Sequence, residues 1–243
     1  MNEKYILVLN GSPKNEKSCT LQATKAFLKG ISESIPCKIE VISLSSLHIL
    51  PCQGCLSCWG KTEGKCIIQN DDIENVKQKI EKCDLFIESF PLHFFGMPGT
   101  LKVFTDRMMS MLCTYKGQTP PRDGTSFHGI RNPHSNRKLM IISSCAYSQA
   151  EEVYEPLLKQ YDFICGRNNY QAILCPQLKT LLELGPNARF ERYFKRLEDA
   201  GKEFSTNWFL SEETLKNLSL PPFSNSTYQL FLNNFWEGEK NHE

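Results

Sequence analysis

The chain has 243 residues, 23% of them charged, and a formal net charge of +1. So even a balance gives no electrostatic attraction to nucleic acid or to an acidic membrane surface, and leaves a small ligand as the expected partner. The length allows one domain with a sizeable core and an elaboration.

Met1-Asn2-Glu3-Lys4 leads directly into an apolar strand and no apolar run approaches membrane-spanning length, so a cytoplasmic protein is expected. Tyr5 to Leu9 reads as the first strand, Cys19 to Ser34 as a helix and Lys38 to Ser43 as the second strand. Leu21, Phe27, Leu28 and Ile31 give that first helix an apolar face. A helix Asp72 to Lys82 follows, opened by Asn70-Asp71-Asp72 with Glu74 in its first turn, which is favourable capping and dipole chemistry. The pattern continues with strand Leu85 to Phe90, helix Gly99 to Leu112, strand Leu139 to Ser143, helix Glu151 to Phe163 and strand Tyr170 to Leu174. Five strands with four helical crossovers predict an α/β domain whose parallel sheet is covered on both faces.

Two segments interrupt the alternation: His48 to Ile67, rich in Cys and Gly, and Tyr115 to Arg137, polar and containing Pro120-Pro121. Both are expected to be loops near one sheet edge, and loops this long inside a compact domain tend to be functional or mobile. Beyond Pro176 the chain turns helical, with Phe190, Tyr193, Phe194 and Leu197 at helical spacing between Asn187 and Trp208. A helix start at Ser211-Glu212-Glu213-Thr214 and a short helix after Ser224 complete it. The expected division is a domain over residues 1–180 and a helical extension over 181–243, packed on the same domain or on a partner subunit.

In an open parallel sheet, ligands bind outside the carboxyl ends of the strands, so the loops after strands one, three and four matter. The first, Asn10-Gly11-Ser12-Pro13-Lys14 through Ser18-Cys19-Thr20, puts hydroxyls, a lysine and a helix start in one place, which suits an anion. The third, Pro91-Leu92-His93-Phe94-Phe95-Gly96, sets ring-bearing side chains beside free backbone amides. The fourth, Ser144-Cys145-Ala146-Tyr147, adds small residues and another aromatic. A phosphate cradle with two walls for a planar ring suits a mononucleotide, and flavin mononucleotide (FMN) fits best.

The sequence resembles the flavodoxin-like NAD(P)H-dependent FMN reductases, including the multimeric flavodoxin and iron–sulfur flavoprotein types. The resemblance rests on the three loops just quoted, the Cys motif ending in Asp71-Asp72, Leu101-Lys102 with Asp106-Arg107, and Ala200-Gly201-Lys202-Glu203-Phe204. It implies a flavodoxin-like, doubly wound five-stranded parallel sheet of order 2-1-3-4-5. By it, Ser12, Lys14, Ser18, Cys19 and Thr20 hold the FMN phosphate, while Pro91, Leu92, His93, Phe94, Phe95, Gly96, Ser144, Cys145, Ala146 and Tyr147 flank the ring. Cys19 stands where the family commonly has Asn or Ser, and His93 where it commonly has Tyr. The implied activity is NAD(P)H oxidation through bound FMN with transfer to a small-molecule electron acceptor, in a homo-oligomer, dimer or tetramer. No catalytic side chain is assigned, because the cofactor carries the chemistry. Asp106-Arg107 reads as structural, anchoring the helix to a neighbour or to a second subunit.

Cys52, Cys55, Cys58 and Cys66 have the spacing C-x2-C-x2-C-x7-C, a set of thiolates that could hold a [4Fe–4S] cluster and resembles the compact motif of iron–sulfur flavoproteins. Reduced thiols or a facultative disulfide are the alternative. Cys37, Cys83, Cys113, Cys165 and Cys175 stand singly and read as small buried hydrophobes. Two other functions stay open: an iron–sulfur flavoprotein or flavodoxin-type electron carrier serving protein partners, and a flavin-free binding module. The near-zero charge argues against a true flavodoxin, which would be acidic to meet basic partners.

Overall fold

The computed structural model describes residues 2–114, 128–132 and 137–240. Most of the expected Tyr115 to Arg137 loop therefore lies outside the described residues. Strands β1 (Lys4–Asn10), β2 (Cys37–Ser43), β3 (Leu85–Pro91), β4 (Lys138–Cys145) and β5 (Gln171–Pro176) pair in parallel in the order β2-β1-β3-β4-β5, the flavodoxin-like order expected. The central residues of β1, β3, β4 and β5, such as Ile6 to Leu9 and Met140 to Ile142, are buried, as a sheet covered on both sides requires, while the edge strand β2 stays partly exposed.

One covering layer holds α1 (Cys19–Ser32), α5 (Leu178–Glu183), α6 (Ala188–Asn207), α7 (Glu212–Ser219) and α8 (Asn225–Lys240). Leu21, Phe27 and Ile31 of α1 share a core with Tyr193, Leu197 and Phe204 of α6 and with Leu218, Phe223 and Tyr228 farther on. Each such side chain contributes about 1.5–3 kcal/mol when fully buried. Ser18 caps α1 by accepting from Leu21 N, and Asn187 caps α6 by accepting from Arg189 N and Phe190 N. The two helices cross at glycines: a Cβ on Gly30 would lie 1.9 Å from Glu198 O, and one on Gly201 2.0 Å from Phe27 O. Only residues without a side chain allow that approach.

The other layer holds α2 (Ile73–Lys82), α3 (Gly99–Arg107) and α4 (Glu151–Cys165), packed through Ile73, Val76, Leu101, Phe104, Tyr154 and Tyr161. Three local expectations change. The helix from Gly99 stops at Arg107 and tightens into a 3-10 turn, Met108–Met111, so that Leu112 can bridge Ile130. Asp72 does not cap α2; its carboxylate accepts from His48 N, while Asp71 accepts from Ile73 N. The helix after Ser224 is 16 residues, not short. No helix among the described residues is long and apolar enough to cross a membrane.

Candidate functional site

The loop after β1 is shaped by Asn10, whose Oδ1 accepts from Ser12 N while its Nδ2 donates to Asn15 O and Ser43 Oγ. This side chain bends the loop back over the strand end. Ser12, Ser18 and Thr20 are almost fully buried, and Lys14 is exposed beside them. Ser12 Oγ accepts from Lys14 N and Ser18 Oγ from Leu21 N, each through a lone pair, so both hydroxyl protons remain for an anion. Cys19 and Thr20 open α1, where the first N–H groups have no intrahelical acceptor. Burial raises the Cys19 thiol, partly offset by the Lys14 ammonium, so the thiol sits neutral beside the cradle.

The loop after β3 is a tight turn closed by His93 N donating to Gly96 O and Gly96 N donating to His93 O, both 2.9 Å. Its two central residues are Phe94 at φ 48° and Phe95 at φ 63°, left-handed conformations that bulky side chains rarely adopt. Each such residue costs about 1–3 kcal/mol, which persists where the surroundings fix it and clusters at functional sites. Phe94 is 97% exposed, and Phe95 stacks on Tyr147 with ring centroids 5.5 Å apart. The turn is a stiff hairpin presenting rings to solvent.

Ser144 joins the three loops. Its Oγ meets Thr20 Oγ1 at 2.6 Å, and its carbonyl accepts from Leu92 N at 2.7 Å. Ser12, Lys14, Ser18, Cys19 and Thr20 thus share one rim with Pro91 to Gly96 and with Ser144, Ala146 and Tyr147. The side chain of Cys145 is turned away into the core under α4, and burial raises its thiol. Two residues that sequence reasoning passed over hold this rim. Gln177, fully buried at φ 57°, donates from its N–H to Cys145 O and from Nε2 to Ser148 O, while its Oε1 accepts from Phe223 N. Tyr228 of α8 donates to Ala146 O. The only signal for Gln177 was its place directly after the strand-ending Pro176.

The Cys-rich loop is held at its neck. Arg107, 2% exposed, donates to Leu50 O and Ile68 O on either side of the loop and to Asp71 Oδ2 at 2.5 Å. Burial pushes the Asp71 carboxyl up, but Arg107 and the N–H groups of Leu50 and Ile73 outweigh it and hold it below its ordinary value. Burial, then the neighbouring Cys66, Cys52 and Cys55 thiols, raise Cys58, whereas hydrogen bonds from Ser57 lower the exposed Cys55. Cys52, Cys55, Cys58 and Cys66 lie on one loop, yet among the described residues no three His, Cys, Asp or Glu side chains converge as metal ligands. Trp59 pins the loop's middle by donating from Nε1 to Met109 O and stacking on His128.

A family model described as NADPH-dependent FMN reductase matches residues 5–148. An iron–sulfur flavoprotein of Clostridioides difficile is 34% identical over 145 residues, 58% of this chain and 63% of that protein, so this chain spans under two thirds of that relative. FMN-dependent NADH:quinone oxidoreductase 1 of Bacillus anthracis is 22% identical over 227 residues, 85% of this chain and 98% of that protein. The crystal structure of an FMN-dependent NADH-azoreductase from Bacillus anthracis, in complex with FMN, superposes with a TM-score of 0.57 at 18% identity, covering 83% of this chain and 99% of that one. That likeness concerns the fold. With more than half of its residues matched by the family model, the chain belongs to the NADPH-dependent FMN reductase family.

Proposed function

We propose that this chain is an FMN-dependent oxidoreductase that passes electrons from NAD(P)H to a small-molecule acceptor. The observation that carries the reading is the convergence on Ser144 of a hydroxyl-rich anion cradle and an exposed aromatic turn. The donor set fits the cofactor: the Ser12 and Ser18 hydroxyl protons, the first N–H groups of α1 and the Lys14 ammonium all favour a phosphate.

FMN held there would supply the chemistry, accepting hydride from NAD(P)H and giving electrons up to the acceptor. Ser12, Lys14, Ser18, Cys19 and Thr20 hold the phosphate end. Pro91 to Gly96 and the backbone of Ser144 to Tyr147 would orient the ring end, beside the stacked rings of Phe95 and Tyr147. Backbone amides of these loops favour or disfavour negative charge on the ring and so tune its potential. The full exposure of Phe94 supports a homo-oligomer in which a second copy covers the aromatic turn. The eleven cysteines, all free thiols in this fold, support a reducing, cytoplasmic setting.

The test is colour and titration. Purified protein is expected to be yellow, to bind FMN in a fluorescence titration and to oxidise NAD(P)H; a colourless protein that takes up no added FMN overturns the proposal. A second reading, an iron–sulfur flavoprotein carrying electrons to protein partners, is supported by the Cys spacing and by the name of the 34% identical relative. Cys52, Cys55, Cys58 and Cys66 would hold the cluster. Anaerobic preparations would then be brown and contain acid-labile sulfide, both lost on Cys55→Ser.

A further inference from the structure

A cavity of about 530 Å³ opens at the opposite end of the sheet from the rim, between α3, α4 and the first halves of β3 and β4. Phe86, Met108, Met111, Leu139 and Ile164 form apolar walls around Glu88. The volume lies within the range of small-molecule sites, and methionines give walls that adapt to an occupant.

Glu88 sits in mid-strand between Phe86 and Phe90, on the face that packs against the second helical layer, and is 6% exposed. A core position there ordinarily holds an apolar side chain, because burying a carboxylate without a cation is costly. Tyr161 Oη donates to Glu88 Oε2 and is its sole hydrogen-bond partner among the described residues. No described ion pair involves Glu88. Tyr161 and Cys165 face it from α4, Tyr170 lies ahead of β5, and Arg137, Lys138 and His128 stand around the remaining cavity wall. Arg137 donates from Nη1 to Ile80 O, and Lys138 is exposed. A carboxyl with one oxygen engaged by Tyr161 and its second oxygen without a partner among the described residues therefore lines a chamber whose walls are partly apolar and partly polar.

We infer that this cavity is a second ligand site, independent of the flavin reading, and that it takes a monoamine carried on an apolar body. An ammonium both neutralises the Glu88 carboxylate and donates to its open oxygen, while the apolar body meets the methionine and aromatic walls. Burial lifts the Glu88 carboxyl to about 7, and the Tyr161 hydrogen bond opposes that only in part. Amine binding is therefore coupled to loss of the Glu88 proton and strengthens as pH rises through that value.

Isothermal titration of the purified full-length protein, saturated with FMN, with 4-phenylbutylamine and with 4-phenylbutanol tests the site. At about pH 8 the amine is expected to bind at least about tenfold more tightly than the alcohol, with the preference shrinking by about pH 5.5. Glu88→Gln is expected to abolish the amine's advantage while leaving FMN affinity unchanged. Equal affinity of amine and alcohol for the wild type, no binding of the amine, or an undiminished preference in Glu88→Gln each overturns the inference. The wild-type comparison needs no variant, and it decides alone should Glu88→Gln fail to fold.

Discussion

Two carboxyls are buried in the same half of this molecule, and their surroundings give them opposite characters. At the neck of the Cys-rich loop, Asp71 meets the Arg107 guanidinium with both side chains fully shielded from solvent, and it stays ionised. On the wall of the cavity, Glu88 has a tyrosine hydroxyl in place of a cation, and its proton is held up to about 7. Burial acts on both in the same direction; the presence or absence of a cation decides the outcome. A buried charge with its partner built in works as a fastener, whereas one without a partner is a place where protons or ligands can act.

The largest expected effect comes from turning the first situation into the second. Arg107→Met leaves Asp71 buried and unpaired, and frees Leu50 O and Ile68 O as well. A loss of about 3–5 kcal/mol in urea unfolding is expected, with faster reaction of Cys58 and Cys66 toward a thiol reagent as the loop opens. Unchanged stability would mean that the neck is held by something other than this clamp.

The next effect is a difference in sign with pH. Asp71, whose carboxyl is depressed in the fold, contributes stability that is present above its unfolded value of 3.8 and lost as pH falls through its lower folded value. Glu88, whose carboxyl is raised, contributes stability that is complete below 4.5 and lost as pH rises through about 7. At full burial the Glu88 loss has an upper limit of roughly 3 kcal/mol. Stability curves of Glu88→Gln and wild type should accordingly diverge between those two pH values, with the variant the more stable at about pH 8. Parallel curves would show that Glu88 titrates at its ordinary value.

The smallest effect serves as a neutral control at the rim. Ser144→Ala removes the hydroxyl partner of buried Thr20 without touching any formal charge. About 1–3 kcal/mol is expected from the unsatisfied Thr20 hydroxyl, with little change between pH 5 and pH 8. FMN affinity should fall along with it, measured by fluorescence titration; an unaltered affinity would detach Ser144 from cofactor binding.

The parallel sheet was legible because its strands are short apolar runs alternating with helices that carry their own apolar stripe, whereas its order was implied by the family resemblance. Leu21, Phe27, Leu28 and Ile31 fall where their spacing put them, in the core under α1. What escaped depends on pairs distant along the chain or on backbone conformations without a residue signature. Asp71 and Arg107 are 36 residues apart, and nothing local in Asp106-Arg107 reveals that the guanidinium reaches back across the Cys loop. The turn at Phe94 and Phe95 carries neither Gly nor Asn at its left-handed positions, so ring chemistry was readable there but the hairpin was not. Glu88 gave no sign either, since a single carboxyl inside Leu85-Phe86-Ile87-Glu88-Ser89-Phe90 looks like an ordinary break in a strand.

The glycine crossing of α1 and α6 bears on the order in which the protein is made. Lys29 and Glu198, which pair beside that crossing, are 169 residues apart along the chain. The helix that opens the anion cradle emerges early in synthesis, yet its main packing surface arrives only when most of the polypeptide has been translated. Nascent chains ending before Ala188 should therefore lack a competent phosphate pocket, while those completed through Asn207 should acquire it.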